Sequence, residues 1–473
     1  MNILHVSFEC YPIAKVGGLA DVVSALPKYQ NKMGIRTSVI VPFYNNQFVT
    51  QSEHISVYNG NIVLRNTNYE YSIEKMQAPD LGFDTYLVFV EGLLDRPKVY
   101  NYEDDIERSI AFQKIVLDWL QGTSYIPDCI HCHDHHTGLI PFFMQFTYPY
   151  AALSDIPTVI TIHNAQYQGQ LPYDKLDCLP PFDQDKMGLL DWDGSINPLA
   201  TAIKCAAKVT AVSTSYMQEL QEKANGLEHL LKHENEKCVG ILNGIDKTTW
   251  DPQTDPMVIQ NYSIEDVEEG RLANKKWLCE QYNFDMDKPL FGFIGRLVGE
   301  KGADLLPEIV IEALEKNKND ISILILGSGN PETEDRLRGL QERFSGRYNT
   351  FIGYDEKLSH IVYAGADFLL MPSRVEPCGL NQMYALRYGC VPIVRRIGGL
   401  KDTIIDIGDH GFGICHDQAS VWDVCYSINR AIPIYHNPSQ YKEIQQRIMK
   451  IDHSWDRSAQ AYIDIYKSLI SDI

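Results

Sequence analysis

No stretch of this 473-residue chain is apolar for the roughly 20 residues a membrane-spanning helix needs. The opening residues, Met1 to Cys10, lack the basic start, long apolar centre and cleavage site of a signal peptide. A cytoplasmic location is therefore expected. Positive charge is also scarce: 42 Lys and Arg stand against 62 Asp and Glu, a net charge of −20. Nucleic-acid binding needs a basic footprint, so neither nucleic acid nor membrane is an expected partner. Any phosphate ligand must be met by a local group of cations and backbone N–H groups, against an unfavourable overall field. The 11 cysteines are odd in number and follow no spacing framework, which fits reduced thiols. Repeats of solenoid period and low-complexity segments are absent too.

What remains is an ordinary globular composition, 44% hydrophobic and 22% charged, long enough for two or three domains. The most informative stretch runs from Phe368 to Leu400. Phe368 to Met371 reads as a buried strand stopped by Pro372, and Val391 to Val394 as a second. Helical spacing begins near Asn381 and Gly389 ends it. The loop Ser373 to Leu380 thus joins a strand's C-terminal end to a helix start, the edge where open α/β sheets bind ligands and favour anions. Glu376 stands in that loop. A carboxylate there needs a cation or a sugar hydroxyl to hold; as a plainer alternative it caps the helix.

The same pattern opens the chain. Strand Asn2 to Phe8 leads to Glu9, Lys15, Gly17, Gly18 and Asp21, with a helix from near Leu19 to about Met33. The glycines leave backbone open to a ligand, and Lys15 can reach a phosphate. Asp105 to Gln121 reads as an amphipathic helix. Cys129-Ile-His131-Cys132-His133 has the spacing of a haem attachment site, but Asp128 to His133 reads as a strand, which turns Cys129 and Cys132 to opposite faces. Asp134 follows at the strand's C-terminal end. Strand Pro157 to Ile162 delivers His163, which by itself reads first as a structural residue, and strand Lys208 to Val212 follows. Val239 to Asp246, which contains Asn243, reads as the exit from a first domain.

Lys247 to Lys288 reads as a polar linker with one helix. The α/β pattern then restarts with strand Leu290 to Ile294 and a helix Asp304 to Asn317. Between them Arg296 and Lys301, five apart, can converge on one diphosphate. Tyr354, after Gly353, is placed to stack on a base or to serve as a core aromatic. Both halves should therefore be mainly parallel sheets covered on both faces, facing each other across a cleft.

Seven segments carry a resemblance: Lys15-Val-Gly-Gly-Leu, His133-Asp134 with His136-Thr-Gly-Leu, Thr161-Ile-His163-Asn, Gly240-Ile-Leu-Asn-Gly-Ile-Asp246, Gly295-Arg-Leu-Val with Lys301-Gly, Gly353-Tyr-Asp, and Pro372-Ser-Arg-Val-Glu-Pro-Cys-Gly-Leu-Asn-Gln382. Over essentially its whole length the chain resembles bacterial glycogen and starch synthases. The resemblance implies the GT-B fold: two Rossmann-like domains, an acceptor domain at 1–245 and a nucleotide-sugar domain at 246–454. A helix at 455–473 would pack back on the first domain, making the crossing a hinge. It further implies transfer of glucose, with retention, from ADP-glucose or UDP-glucose to the non-reducing end of an α-1,4-glucan, with no cofactor or metal.

Carried over by motif, Arg296 and Lys301 would neutralise the diphosphate. Backbone N–H groups at Gly18 and at Leu380 and Asn381 would complete the clamp, with Gly17, Cys378 and Gly379 also at the nucleotide-sugar site and Lys15 beside the distal phosphate or the sugar. His163, Asn243 and Glu376 would hold glucose hydroxyls, and Tyr354 would stack on the base. Asp134 would line the acceptor side, with Glu9 and Asp21 contacting glucan. There are departures. Tyr384 stands where many retaining relatives have a second Glu, as in this family. Pro198-Leu-Ala200-Thr-Ala202 replaces a Phe-Leu-Lys-Ala-Gly loop, and His135 stands where Trp is usual. Sucrose synthesis or phosphorolysis on the same fold, and a silent glucan-binding homologue, are the alternatives.

Overall fold

The computed structural model describes residues 1–316 and 318–471. The chain divides into two compact units, Met1–Asn243 with the segment from Trp455 onward, and Gly244–Ser454.

The first unit is built on a nine-stranded sheet. Its order is Cys238–Gly240, Lys208–Ala211, Thr158–Ile162, Cys129–His133, Asn2–Val6, Arg36–Pro42, Asp84–Phe89, Thr67–Met76 and His54–Leu64. The first seven pair in parallel, and the last two join antiparallel at one edge. The central strands are buried on both faces, and apart from the buried His5, His131, His133 and the threonines they read as apolar runs. These two strands mix polar with apolar residues and leave one face to solvent, which hid them from an apolar-run reading. The alternation of Ile62 and Leu64 in one strand and of Tyr71 and Ile73 in the other, all buried, marks them in the sequence.

The helix Gly18–Lys32 buries Leu19, Val22, Val23 and Leu26, spaced for one face. Helix Trp455–Ser471 buries Trp455, Ala459, Tyr462 and Tyr466 at the same spacing. These pack with Ile3, Val22, Leu26, Tyr29 and Val159 in one apolar cluster, so the chain's last helix completes the first unit. The part of the expected tail beyond 471 lies outside the described residues.

The second unit has a six-stranded, wholly parallel sheet ordered Tyr348–Ile352, Ser322–Gly327, Leu290–Ile294, Phe368–Met371, Val391–Arg395, Ile414–His416. Two expectations need correction here. The helix expected over Asp304 to Asn317 is a 3₁₀ turn at Ala303–Leu305, an α-helix at Leu306–Ile311 and a π turn at Glu312–Lys316; its expected last residue lies outside the described residues. Asn319 N–H closes the widened end on Ala313 O at 3.1 Å. The stretch before helix Val267–Tyr282 is also pinned, unlike a linker. Trp250 stacks on His360 and Tyr384, and Asp255 accepts from His360 at 2.6 Å and Tyr388 at 2.5 Å.

Candidate active site

In the second sheet the strand order reverses between Leu290–Ile294 and Phe368–Met371, which are neighbours 77 residues apart in register. Open α/β sheets form a crevice at such a switch point, at the strands' C-terminal ends. The loops leaving those two ends carry Arg296 and Lys301 on one side and Ser373 to Asn381 on the other. Lys301 Nζ donates to Glu376 Oε1 at 2.6 Å, and Ser373 Oγ donates to Glu376 Oε2 at 2.9 Å. Glu376 is 6% exposed, so both carboxylate oxygens are held in place. Glu376 therefore does not cap the following helix, whose N-terminal residue Leu380 makes no side-chain cap.

The two loops are tied by their backbones. Arg374 and Val375 N–H donate to Glu300 O at 2.8 and 3.1 Å, and Arg374 clamps Asp304 with both guanidinium nitrogens. Gly302 has φ +68°, and a Cβ there would lie 2.4 Å from Pro372 O. Gly398 and Gly399 leave the same kind of room: added Cβ atoms would collide with Glu376 O and Cys378 O. The Gly398-Gly399 pair thus exists so that the Glu376 loop can lie on it.

Gln382 Nε2 donates to Cys378 O at 3.0 Å and Gly379 O at 2.8 Å, fixing the turn in which Gly379 has φ +73°. Asn381 Nδ2 donates to Ile294 O at 2.7 Å. Arg296 is half exposed, and its guanidinium lies 3.7 Å from Glu300. Tyr354 is 79% exposed just past the end of strand Tyr348–Ile352. These residues are separate from the Lys301–Glu376 contact, but all leave the same edge of the sheet.

The first unit repeats the arrangement. Its order reverses between Asn2–Val6 and Cys129–His133. Glu9, just past the first of these, is only 4% exposed. Its Oε2 accepts from Val16 and Gly17 N–H at 2.6 and 3.0 Å, and its Oε1 from Tyr100 at 2.7 Å. The carboxylate is committed to shaping the Lys15–Gly18 loop, and burial raises its pKa. Lys15 pairs with Asp21 at 2.7 Å. A Cβ at Gly17 or Gly18 would meet nothing within 4 Å, so the fold itself does not demand glycine at either position. The bare backbone instead leaves open the first turn of a 15-residue helix, where N–H groups favour an anion.

Asp134 leaves strand Cys129–His133 at φ 56° and ψ −177°, a region almost reserved for glycine, which costs about 1–3 kcal/mol. Its Oδ1 accepts from the backbone N–H of His163 at 2.7 Å. Burial holds its carboxyl up at about 7, against an ordinary value near 3.8. Burial also pushes the His163 imidazole down to about 3, so that ring is neutral. Asn243 is buried, and its Oδ1 has no hydrogen-bond partner among the described residues.

The dense His and Cys residues after Asp128, not expected to hold a metal, meet one more histidine from the first strand. His5, His131 and His133 are fully buried, with ligand-type nitrogens within 4.8 Å of one another. Their ring nitrogens are occupied by hydrogen bonds: His5 Nδ1 to His133 Nε2 at 3.1 Å, and His133 Nδ1 to His163 Nε2 at 3.0 Å. His131 bonds to Tyr466 and Thr161, both at 2.6 Å. The group is therefore a hydrogen-bonded network that takes in His163. Its signal was in the sequence, since residues two apart on a strand share a face.

Known proteins carry the same framework. Residues 2–233 match the family of the starch synthase catalytic domain, and residues 275–430 match glycosyl transferases group 1. A glycogen synthase from Flavobacterium johnsoniae is 54% identical, covering 99% of each chain. One from Geobacillus thermodenitrificans is 36% identical over 99% of this chain and 98% of its own. The catalytic domain of starch synthase IV from Arabidopsis thaliana, solved with ADP and acarbose, superposes with a TM-score of 0.90 at 30% identity and 99% coverage of both chains. A sucrose-phosphate synthase from Thermosynechococcus elongatus, at TM-score 0.64 and 16% identity, shares the fold.

Proposed function

We propose, from the premise that this chain belongs to the glycogen and starch synthase family of glycosyltransferases, that it extends α-1,4-glucans with glucose taken from ADP-glucose. The related starch synthase solved with ADP supports the adenine donor over uridine. The observation that carries the reading is the Lys301–Glu376–Ser373 arrangement at the switch point of the second sheet. It sets a cation and a fixed hydroxyl acceptor side by side, where a sugar diphosphate needs both.

Breaking the bond at the anomeric carbon leaves positive charge on the sugar and negative charge on the diphosphate. Arg296 and Lys301 meet the diphosphate, with the amide at Gly18, the close backbone approach at Gly17, whose own N–H is held by Glu9, and the backbone from Cys378 to Asn381. A donor of this kind placed in advance is worth about 2.7–4 kcal/mol in the transition state. Glu376, His163 and Asn243 hold glucose hydroxyls, Tyr354 stacks on the base, and Lys15 reaches the distal phosphate or the sugar. Asp134 and Asp21 serve the acceptor side, with Glu9 shaping the loop beside them. In the transfer, the C1–O bond to the diphosphate breaks and the acceptor's 4-hydroxyl oxygen bonds to C1 from the same face. The hydroxyl proton passes to the departing diphosphate, so configuration is retained. No acid is needed, because the leaving group is already stable as an anion.

Labelled ADP-glucose and UDP-glucose, each incubated with glycogen, test the proposal. Incorporation from ADP-glucose at the higher kcat/KM is expected. Preference for UDP-glucose would overturn the donor assignment, and no incorporation from either would overturn the reaction.

A further inference from the structure

The buried histidine network continues beyond His131 and ends on a backbone carbonyl, and that end sets the direction of every hydrogen bond in it. A carbonyl only accepts, a neutral imidazole carries one N–H, and a hydroxyl donates once. Thr210 Oγ1 lies 3.5 Å from Ile160 O and 2.6 Å from Thr161 Oγ1. Thr210 therefore donates to the carbonyl and accepts from Thr161. Thr161 has no second proton, so His131 Nε2, at 2.6 Å, is the protonated nitrogen. His131 Nδ1 then accepts from the Tyr466 hydroxyl at 2.6 Å.

Tyr466 in turn accepts from Gln30 Nε2 at 3.2 Å, which turns Gln30 Oε1 to His5 Nε2 at 2.9 Å. His5 must be protonated on Nε2, so its Nδ1 accepts from His133 Nε2–H. His133 Nδ1 accepts from His163 Nε2–H. Every donor points the same way, and His163 is left with a bare Nδ1 for which the described residues supply no partner. Burial keeps the imidazoles neutral, with His5 pushed down to about 4 and His131 and His133 well below the ordinary histidine value.

We propose that Gln30, His5, His133 and Tyr466 are positioning residues that lock His163 as the Nε2–H tautomer, so that its Nδ1 lone pair accepts a hydroxyl proton of the donor glucose. The inference rests on the glucosyl-transfer reading for the sugar, though not for the tautomer. It also gives the last helix a part in the chemistry. One hydroxyl on it, relayed through Gln30, His5 and His133, decides which hydrogen-bonding role His163 presents.

The test uses the full-length protein with 15N-labelled histidine rings, His163 being assigned by difference from His163→Gln. Wild type at neutral pH should give a bare Nδ1 and a protonated Nε2. Tyr466→Phe removes a single hydroxyl at the far end of the relay, and should shift His163 to a mixture of tautomers while lowering kcat/KM for ADP-glucose about three- to tenfold. A packing role alone would not move the ring proton. A proton on Nδ1 in wild type, an unmoved tautomer in Tyr466→Phe, or a moved tautomer with unchanged kcat/KM would each overturn the proposal. Should Tyr466→Phe fail to fold, Gln30→Met breaks the same relay one link along, with the same expectations. Failure of wild type to transfer glucose would strike the functional reading and leave the tautomer result standing.

Discussion

Lys301 Nζ sits 2.6 Å from Glu376 Oε1, although 75 residues separate them, because their loops leave adjacent parallel strands at the point where the strand order reverses. In the proposed reaction the pair would tie a cation for the leaving group to a carboxylate for the sugar. Lys301→Ala should reduce kcat about 10²–10³-fold, as expected for losing one preplaced charge contact. Arg296→Ala with Lys301→Ala should abolish glucan elongation almost completely. Steady-state kinetics with glycogen check both. Unaltered turnover in the double variant would remove the electrostatic basis of the proposed reaction.

Glu9 organises its loop with one carboxylate, satisfying two backbone N–H groups and the Tyr100 hydroxyl. Glu9→Ala leaves those donors unmet and should lower stability by about 1–3 kcal/mol. Tyr100→Phe, which leaves the two amide contacts in place, should cost less. Urea unfolding measures both, and equal losses would show that the amide contacts carry little.

Acid should destabilise the protein well before its ordinary, exposed carboxylates are titrated. Burial lowers the folded-state pKa of His5 and His135 to about 4 and of His163 to about 3, against 6.5 unfolded. Between those values the unfolded chain binds protons that the folded chain refuses. Each such histidine therefore removes up to about 1.4 kcal/mol per pH unit as pH falls below 6.5. Asp134, raised to about 7, acts in the opposite sense, since its folded form keeps a proton that the unfolded chain releases above about 4. The histidines outnumber it, so unfolding free energy should drop by several kcal/mol from pH 7 to pH 5. A flat profile in that window would mean the rings are solvated.

Trp455 opens the last helix and is 2% exposed within the cluster that includes Ile3 and Val22. Trp455→Ala should cost about 3–5 kcal/mol through the cavity it leaves. Truncation before 455 should be more severe, because the first unit's sheet would then lose a covering helix. Thermal melting of each variant checks the order.

The sequence by itself determined the alternation of strands and helices, because strands buried on both faces read as short apolar runs ended by Gly or Pro, as at Phe368 to Met371. It also placed Lys15, Asp134, Arg296, Lys301, Tyr354 and Glu376 at strand ends, since polar and glycine residues gather there for a local reason. It missed the strands His54–Leu64 and Thr67–Met76, whose outer face is wet, and it mistook the pinned stretch around Trp250 and Asp255 for a linker. Only tertiary structure decided that Glu376 meets Lys301, that Glu9 turns inward, and that Gly398-Gly399 serves as a bed for the Glu376 loop. Strand order makes such neighbours, and strand order is settled by packing whole sheets. The histidine relay lies furthest from the sequence. Its members sit on four strands and two helices, and its direction depends on one carbonyl that can accept and never donate.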